Sequence, residues 1–216
     1  MSPCAPRRGR SAAAPWARGL SAALAIGAAG SLATPPVWVL ALAGGIAFAD
    51  LGRRERAEPG GAGPDWSAWA LQLAFLAILC AAAWQNADPG RAPRWPGLPE
   101  LFGALVIGAG LALRRRAERA MGPLFTVRLR VDADHVLVDW GPFARIRHPS
   151  YASLLLIAGG TALACRSSLA LLATLALWLP AALVRIRLEE AALAERFGPA
   201  YEAYARRTWR LVPWLF

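Results

Sequence analysis

The chain has 216 residues, a formal charge of +10 and a hydrophobic share of 56%, with a mean hydropathy of +0.37. That is the length of one domain, but it is too apolar for an ordinary soluble one. All 24 basic residues are arginine. They cluster between apolar blocks and form no aromatic-studded basic face, so a bilayer, not nucleic acid, is the expected partner.

Residues 1–18 are small, Pro-bearing and basic, and read as a disordered tail at the membrane face. Uncharged runs then cover 19–49, 66–87, 101–113, 149–165 and 167–184. Ala and Leu dominate them without period-two alternation, so they are helices. Several are shorter than the roughly 20 residues a bilayer core takes, which predicts short or tilted spans. Pro35-Pro36 breaks the first run into two crossings. Residues 52–65 are a polar Gly/Pro loop, and 66–84 are a third span with Trp66, Trp69 and Trp84 near its ends. Residues 85–99 form a turn-rich outer loop, and the fourth span follows Pro99 and ends at Arg114, Arg115 and Arg116. Gly103 and Gly108 miss the spacing of a GxxxG helix-packing motif.

Residues 121–148 are polar and irregular; 126–131 and 135–139 alternate as a short cytoplasmic hairpin would. Pro149 starts a helix at a favourable first-turn position. A tight turn at 165–168 leads into the last span, which runs on into a charged cytoplasmic helix and an amphipathic tail where Tyr201 and Tyr204 face the bilayer interface. With six crossings and both termini cytoplasmic, 21 of the 24 arginines lie inside; Arg91, Arg94 and Arg166 lie outside. The predicted fold is an all-α polytopic transmembrane bundle. Its parts are the tail 1–18, N-terminal spans over 19–113 and a core over 114–216. The basic start followed by 20–33 also has the form of a cleaved signal, but no small-x-small site precedes Pro35-Pro36. Cys4, Cys80 and Cys165 are too scattered for a disulfide framework or a metal site.

Two strings carry the chemistry: GPFARIRHPSY at 141–151, and RIRLEEAALAERFGPAYEAYARRTWRLVP at 185–213, separated by an apolar hairpin. Their order and spacing resemble the isoprenylcysteine carboxyl methyltransferase family and the related membrane phospholipid methyltransferases over residues 121–216. The resemblance implies a membrane-embedded S-adenosyl-L-methionine-dependent methyltransferase acting on a lipophilic or lipidated substrate, such as the carboxylate of a prenylcysteine. It implies a cofactor pocket near the cytoplasmic face, closed by the C-terminal segment. His135, Val136, Leu137 and Val138 match the stretch before the family's GPY, and Phe143 replaces that Tyr. His148, Pro149, Ser150 and Tyr151 match the HPxY cofactor motif. Glu189 matches the cofactor-binding carboxylate, and Arg185 the catalytic, substrate-facing residue. Ser153 stands where the family has Gly, which would narrow the cofactor approach.

The residue chemistry agrees with these roles. Glu189 suits an ammonium or ribose hydroxyls, His148 offers a donor and an acceptor, and aromatic faces suit a sulfonium. Arg185 and Glu189 are four apart, hence on one helix face; taken alone they are a helix-end ion pair worth about 0.3–0.5 kcal/mol. Arg145 and Arg147 read equally well as topology signals. Two other functions remain open at this level: an NADPH-dependent sterol reductase, whose HPNY and Gly-Glu are replaced here by Ser150 and Ala152-Ser153, and a non-catalytic membrane subunit. Oligomeric state leaves no signal.

Overall fold

The computed structural model describes residues 66–86, 97–122 and 137–214. The expected first two crossings, the 52–65 loop, most of the 126–139 hairpin, and His135 and Val136 lie outside the described residues. Helices carry the rest: α1 (Trp66–Asn86), α2 (Leu98–Met121), α3 (Pro149–Ala164), α4 (Ser168–Phe197) and α5 (Pro199–Arg206), with a 3-10 turn at Gly141–Ala144 before α3. Among the described residues there is no strand, only an isolated parallel bridge between Ile146 and Trp209.

Helix α1 and the first half of α4 are apolar on both faces, which suits a protein neighbour on one side and lipid on the other. Along α1, Leu71, Ala74, Phe75, Ile78 and Ala82 are buried, while Trp69, Leu73, Leu76 and Trp84 are exposed. On α4, Ala170, Trp178, Ala182 and Ile186 point inward, and Leu171, Leu172, Leu175 and Leu177 outward. Helices α1 and α4, of 21 and 30 residues, are long and apolar enough to cross a membrane, whereas α3 is shorter. Its 16 residues extend about 24 Å at 1.5 Å per residue.

Helix α2 continues past the arginine triplet, where the fourth span is expected to end, to Met121. Charge ends a membrane crossing, not a helix, and arginine is a good helix former. Helix α4 holds a feature the sequence did not announce. Thr174–Trp178 is a π turn, in which the Leu179 N–H donates to the Thr174 carbonyl. Pro180 follows directly; it has no N–H to donate and its ring crowds the carbonyl four residues back. Widening the preceding turn relieves that crowding without ending the helix.

Polar contacts tie the hairpin at one end. The Ser167 side chain accepts from the Ala170 N–H and caps α4. Gln85 of α1 accepts from Ser167 (2.7 Å) and from the Leu169 N–H (3.1 Å), while Asn86 donates to the Cys165 carbonyl (3.0 Å). Arg166 pairs with Glu100 of α2 (2.6 Å). The start of α1, the end of α2, the start of α3 and the charged part of α4 therefore share the opposite end.

A glycine seam joins α2 to α3. A Cβ on Gly103 would sit 2.5 Å from the Ala164 nitrogen, one on Gly160 would sit 2.8 Å from the Gly103 carbonyl, and one on Gly110 would sit 2.8 Å from the Ser153 carbonyl. Close backbone approach through small residues is how apolar helices associate in lipid. The pair that matters on α2 is thus Gly103 and Gly110, seven apart; Gly108 faces open space. Gly160→Val should separate α2 from α3 and cost roughly 1–3 kcal/mol, read as a lowered melting temperature in detergent. Gly108→Ala should leave the melting temperature unchanged or slightly raised.

Candidate active site

At the end opposite the polar clasp, the bundle encloses charges. Pro149 is fully buried and pins the start of α3, which holds His148 at the N-cap and Tyr151 one turn in. Arg185, Glu189 and Glu190 come from α4 after the apolar stretch. The Tyr151 hydroxyl donates to Glu189 Oε1 in a very short hydrogen bond. Arg185 Nε donates to the same hydroxyl (2.8 Å) and lies 3.3 Å from Glu189 Oε1. Arg185 Nη1 donates to Ser67 Oγ of α1 (2.7 Å). Arg185 is 2% exposed, so it is not the surface ion pair that its spacing also allowed; a buried guanidinium must be fully bonded to be tolerated.

His148 lies between two carboxylates. Its Nδ1 is 3.5 Å from Glu189 Oε2 and its Nε2 is 3.5 Å from Glu190 Oε1. Nε2 is buried and has no hydrogen-bond partner among the described residues, and the same holds for the Tyr201 hydroxyl. Burial alone would depress the imidazole's pKa, but the two glutamates outweigh it and hold His148 above the usual histidine value of 6.5.

A second cluster straps the C-terminal segment onto this site. Glu190 accepts from Arg147 Nε (3.0 Å) and Arg210 Nε (2.9 Å). Arg147 Nη1 also donates to the carbonyls of Ala205 (2.6 Å) and Thr208. Backbone bonds run from the Arg147 N–H to Trp209 O (2.7 Å), from the His148 N–H to Arg210 O (3.0 Å), and from the Trp209 N–H to Arg145 O (2.9 Å). Arg147 is therefore a structural clamp, whereas Arg145 is exposed.

Tyr201 and Tyr204 correct an expectation. They are 5% and 4% exposed, packed against the protein and not against the bilayer interface. The Tyr204 hydroxyl donates to the Phe143 carbonyl (2.9 Å), and burial pushes its pKa up to about 12, so it stays a neutral donor.

The structure thus brings together His148, Tyr151, Arg185 and Glu189, as the two strings suggested. Val138 and Phe143 pack in a separate small cluster with Ala117. Leu137 is partly buried beside them in sequence, and Ser150 uses its carbonyl to accept from Ser153 Oγ (2.6 Å). Ser153 is fully buried, with its hydroxyl bonded within its own helix. Sequence reasoning missed Ser67, Glu190 and Arg210. Of these, Glu190 had a signal in the Glu189-Glu190 pair; Ser67 had none.

Residues 103–195 match the model of the isoprenylcysteine carboxyl methyltransferase family, so the resemblance carried by RHPSY and by the Arg185 to Glu190 segment is shown. A probable protein-S-isoprenylcysteine O-methyltransferase of Oryza sativa subsp. indica is 32% identical over 116 residues, covering 52% of this chain and 60% of that protein. Protein-S-isoprenylcysteine O-methyltransferase B of Arabidopsis thaliana is 34% identical over 117 residues, covering 53% and 59%. The corresponding Schizosaccharomyces pombe protein is 37% identical over 101 residues, covering 45% and 42%. The chain spans about 60% of the length of the first of these relatives. In fold, it is similar to the eukaryotic intramembrane Ras methyltransferase ICMT, with a TM-score of 0.61 at 23% identity, covering 93% of this chain and 75% of that one. The chain therefore shares the helical fold of that protein, and the matched relatives do not favour the reductase reading.

The raised pKa of His148 has a testable sign. Its folded value lies above its unfolded one, so its charge stabilises the fold fully below about pH 6.5, and that contribution is lost as pH rises through the folded value. Melting temperatures of wild type and His148→Asn in detergent should differ most near pH 6 and converge toward pH 9.

Proposed function

We propose that this chain is a membrane methyltransferase that uses S-adenosylmethionine to methylate the carboxylate of a prenylcysteine-like acceptor. The observation that carries the reading is the convergence of His148, Tyr151, Arg185 and Glu189 within one charged cluster, in a chain whose matched relatives are isoprenylcysteine O-methyltransferases. Bound, S-adenosylmethionine supplies a methyl group activated by a sulfonium.

The residues present fit such a donor. His148 Nε2 and the Tyr201 hydroxyl are buried polar atoms with no partner among the described residues. Glu189 is the most open of the core charges, with its side chain 24% exposed. A molecule bearing an ammonium, a carboxylate and ribose hydroxyls matches that set. In this reading Glu189 binds the donor's ammonium or ribose, while His148 and the Tyr151 ring line its site; Leu137, Val138, Phe143, Pro149 and Ser150 form the supporting wall. His135 and Val136 belong with that wall by sequence.

Arg185 takes the acceptor carboxylate. A carboxylate is already a nucleophile, so no side chain need act as general base. The protein's contribution is alignment, exclusion of water, and a paired guanidinium that fixes the attacking oxygen. The strap made by Arg147, Glu190 and Arg210 covers the site, which suits a reaction that must not lose its methyl group to water. The acceptor enters from the bilayer, since the helix faces that lead to the site are apolar.

Glu189→Gln should weaken S-adenosylmethionine binding about tenfold, roughly 1.4 kcal/mol, because it keeps the shape and removes the charge. Arg185→Lys should bind the donor normally yet fail in methyl transfer, because an ammonium cannot reproduce the fork. Calorimetric titration and labelled-methyl transfer separate the two, and unchanged donor affinity in Glu189→Gln would end the assignment.

The same proposal places the first two crossings in 19–49, giving six spans, cytoplasmic termini and a catalytic core over 114–216. Single cysteines at positions 60 and 92 should label from opposite sides, with 60 cytoplasmic; labelling from the same side would overturn the topology.

A further inference from the structure

We infer that the outer face of the C-terminal strap, together with the turn before α3 to which it is bonded, is a binding surface for anionic phospholipid headgroups, a role separate from the proposed methyl transfer.

Two segments distant in sequence make this surface. The Trp209 N–H donates to Arg145 O (2.9 Å) and the Arg147 N–H to Trp209 O (2.7 Å), which lays 206–214 beside 139–147. An ion pair between Arg207 and Asp139 joins the same two segments again. Leu211 turns inward and packs with Ala152 and Ile186. Trp209, Val212 and Trp214 are exposed, Trp214 by 86%, and so is Trp140 next to Asp139. Arg145 is exposed as well, and the side chains of Arg206 and Arg207 are 72% and 62% exposed.

Neither water nor lipid tails suit such a face. Indoles in water leave apolar area uncovered, whereas guanidinium groups in hydrocarbon lose their hydrogen-bond partners. The headgroup layer meets both needs, because an indole is apolar with one N–H and a phosphate accepts from a guanidinium fork. Net charge then selects the headgroup. The two segments carry five arginines against Asp139. Glu190 and Glu202 pair with these arginines from α4 and α5, which leaves an excess of two positive charges. A phosphocholine surface meets that excess with its own cation, whereas an anionic surface attracts each basic residue near it.

An acidic protein segment explains the face less well. Trp66 and Trp69 are exposed at the start of α1, at the same end of the bundle, and Trp84 is exposed at the far end. The exposed tryptophans therefore follow levels across separate helices, as the two interfaces of a bilayer do, and not one partner-sized patch.

The test is hydrogen–deuterium exchange on the full chain in phosphatidylcholine nanodiscs, with and without phosphatidylglycerol. Phosphatidylglycerol should slow exchange of the 209–212 amides, by about fivefold for each arginine engaged. Arg145→Gln combined with Arg206→Gln should lose that slowing. Arg145→Lys combined with Arg206→Lys keeps the charges and should retain it, with α3 amides exchanging alike throughout. Equal exchange of the wild type in both lipids overturns the inference, as does a slowing that survives the glutamine pair or is lost in the lysine pair. Slowing by hexaglutamate added to phosphatidylcholine discs also overturns it, and assigns the face to an acidic protein segment. Where the glutamine pair speeds exchange in α3 too, the single Arg145→Gln variant decides by the same criterion. No methyl donor or acceptor is present in any arm, so the result is independent of the methyltransferase reading.

Discussion

Everything at the charged end of this bundle depends on one constraint: Arg185 cannot be buried alone. A guanidinium taken out of water costs several kcal/mol unless its donors are met. Meeting them recruits Tyr151 from α3, Ser67 from α1 and Glu189 from one turn further along α4. Three helices are thereby fixed relative to one another at the depth where the apolar stretch of α4 ends. Glu189 is shared onward to His148, so the same pairing that neutralises the arginine sets up the groups proposed to face a methyl donor.

Glu190 extends the logic to the C-terminal segment. Its two arginines arrive from opposite directions, Arg147 from just before α3 and Arg210 from beyond α5. Arg147 then satisfies carbonyls at the end of α5 that have no helical partner. A charged pair in the middle of this network would be weak evidence of stability by itself, but the backbone bonds around Trp209 fix the same register independently. The strap is held by geometry as well as by charge.

The apolar part of the bundle meets a different requirement. Lipid offers no hydrophobic drive for helix association, so helices α2 and α3 gain contact by bringing backbones together at Gly103, Gly110 and Gly160. Helix α4 carries Pro180 in mid-span and absorbs it by a π turn, which keeps the helix continuous. Continuity matters, because Arg185 and Glu189 are placed by the same helix that crosses the apolar layer.

Much of this was legible in the residues. Apolar runs announced α1, α3 and α4, Pro149 announced the start of α3, and the ordered strings RHPSY and RIRLEE announced which residues meet, because a hairpin of two similar lengths must return its second helix to the level where the first began. The arginine triplet marks the expected end of the fourth crossing but not of helix α2, which runs on to Met121, because charge limits a membrane crossing and not the backbone. Ser67, the strap from Arg147 to Arg210 and the buried setting of Tyr201 and Tyr204 had no local signature. Sequence by itself determined the apolar helices and their order, since periodicity, proline and charge act over a few residues, while the candidate site's members came from the resemblance of two strings to a family's motifs. Tertiary structure decided the partners of each charge, since a serine 118 residues away becomes a ligand of Arg185 only when packing brings two helices within hydrogen-bond reach.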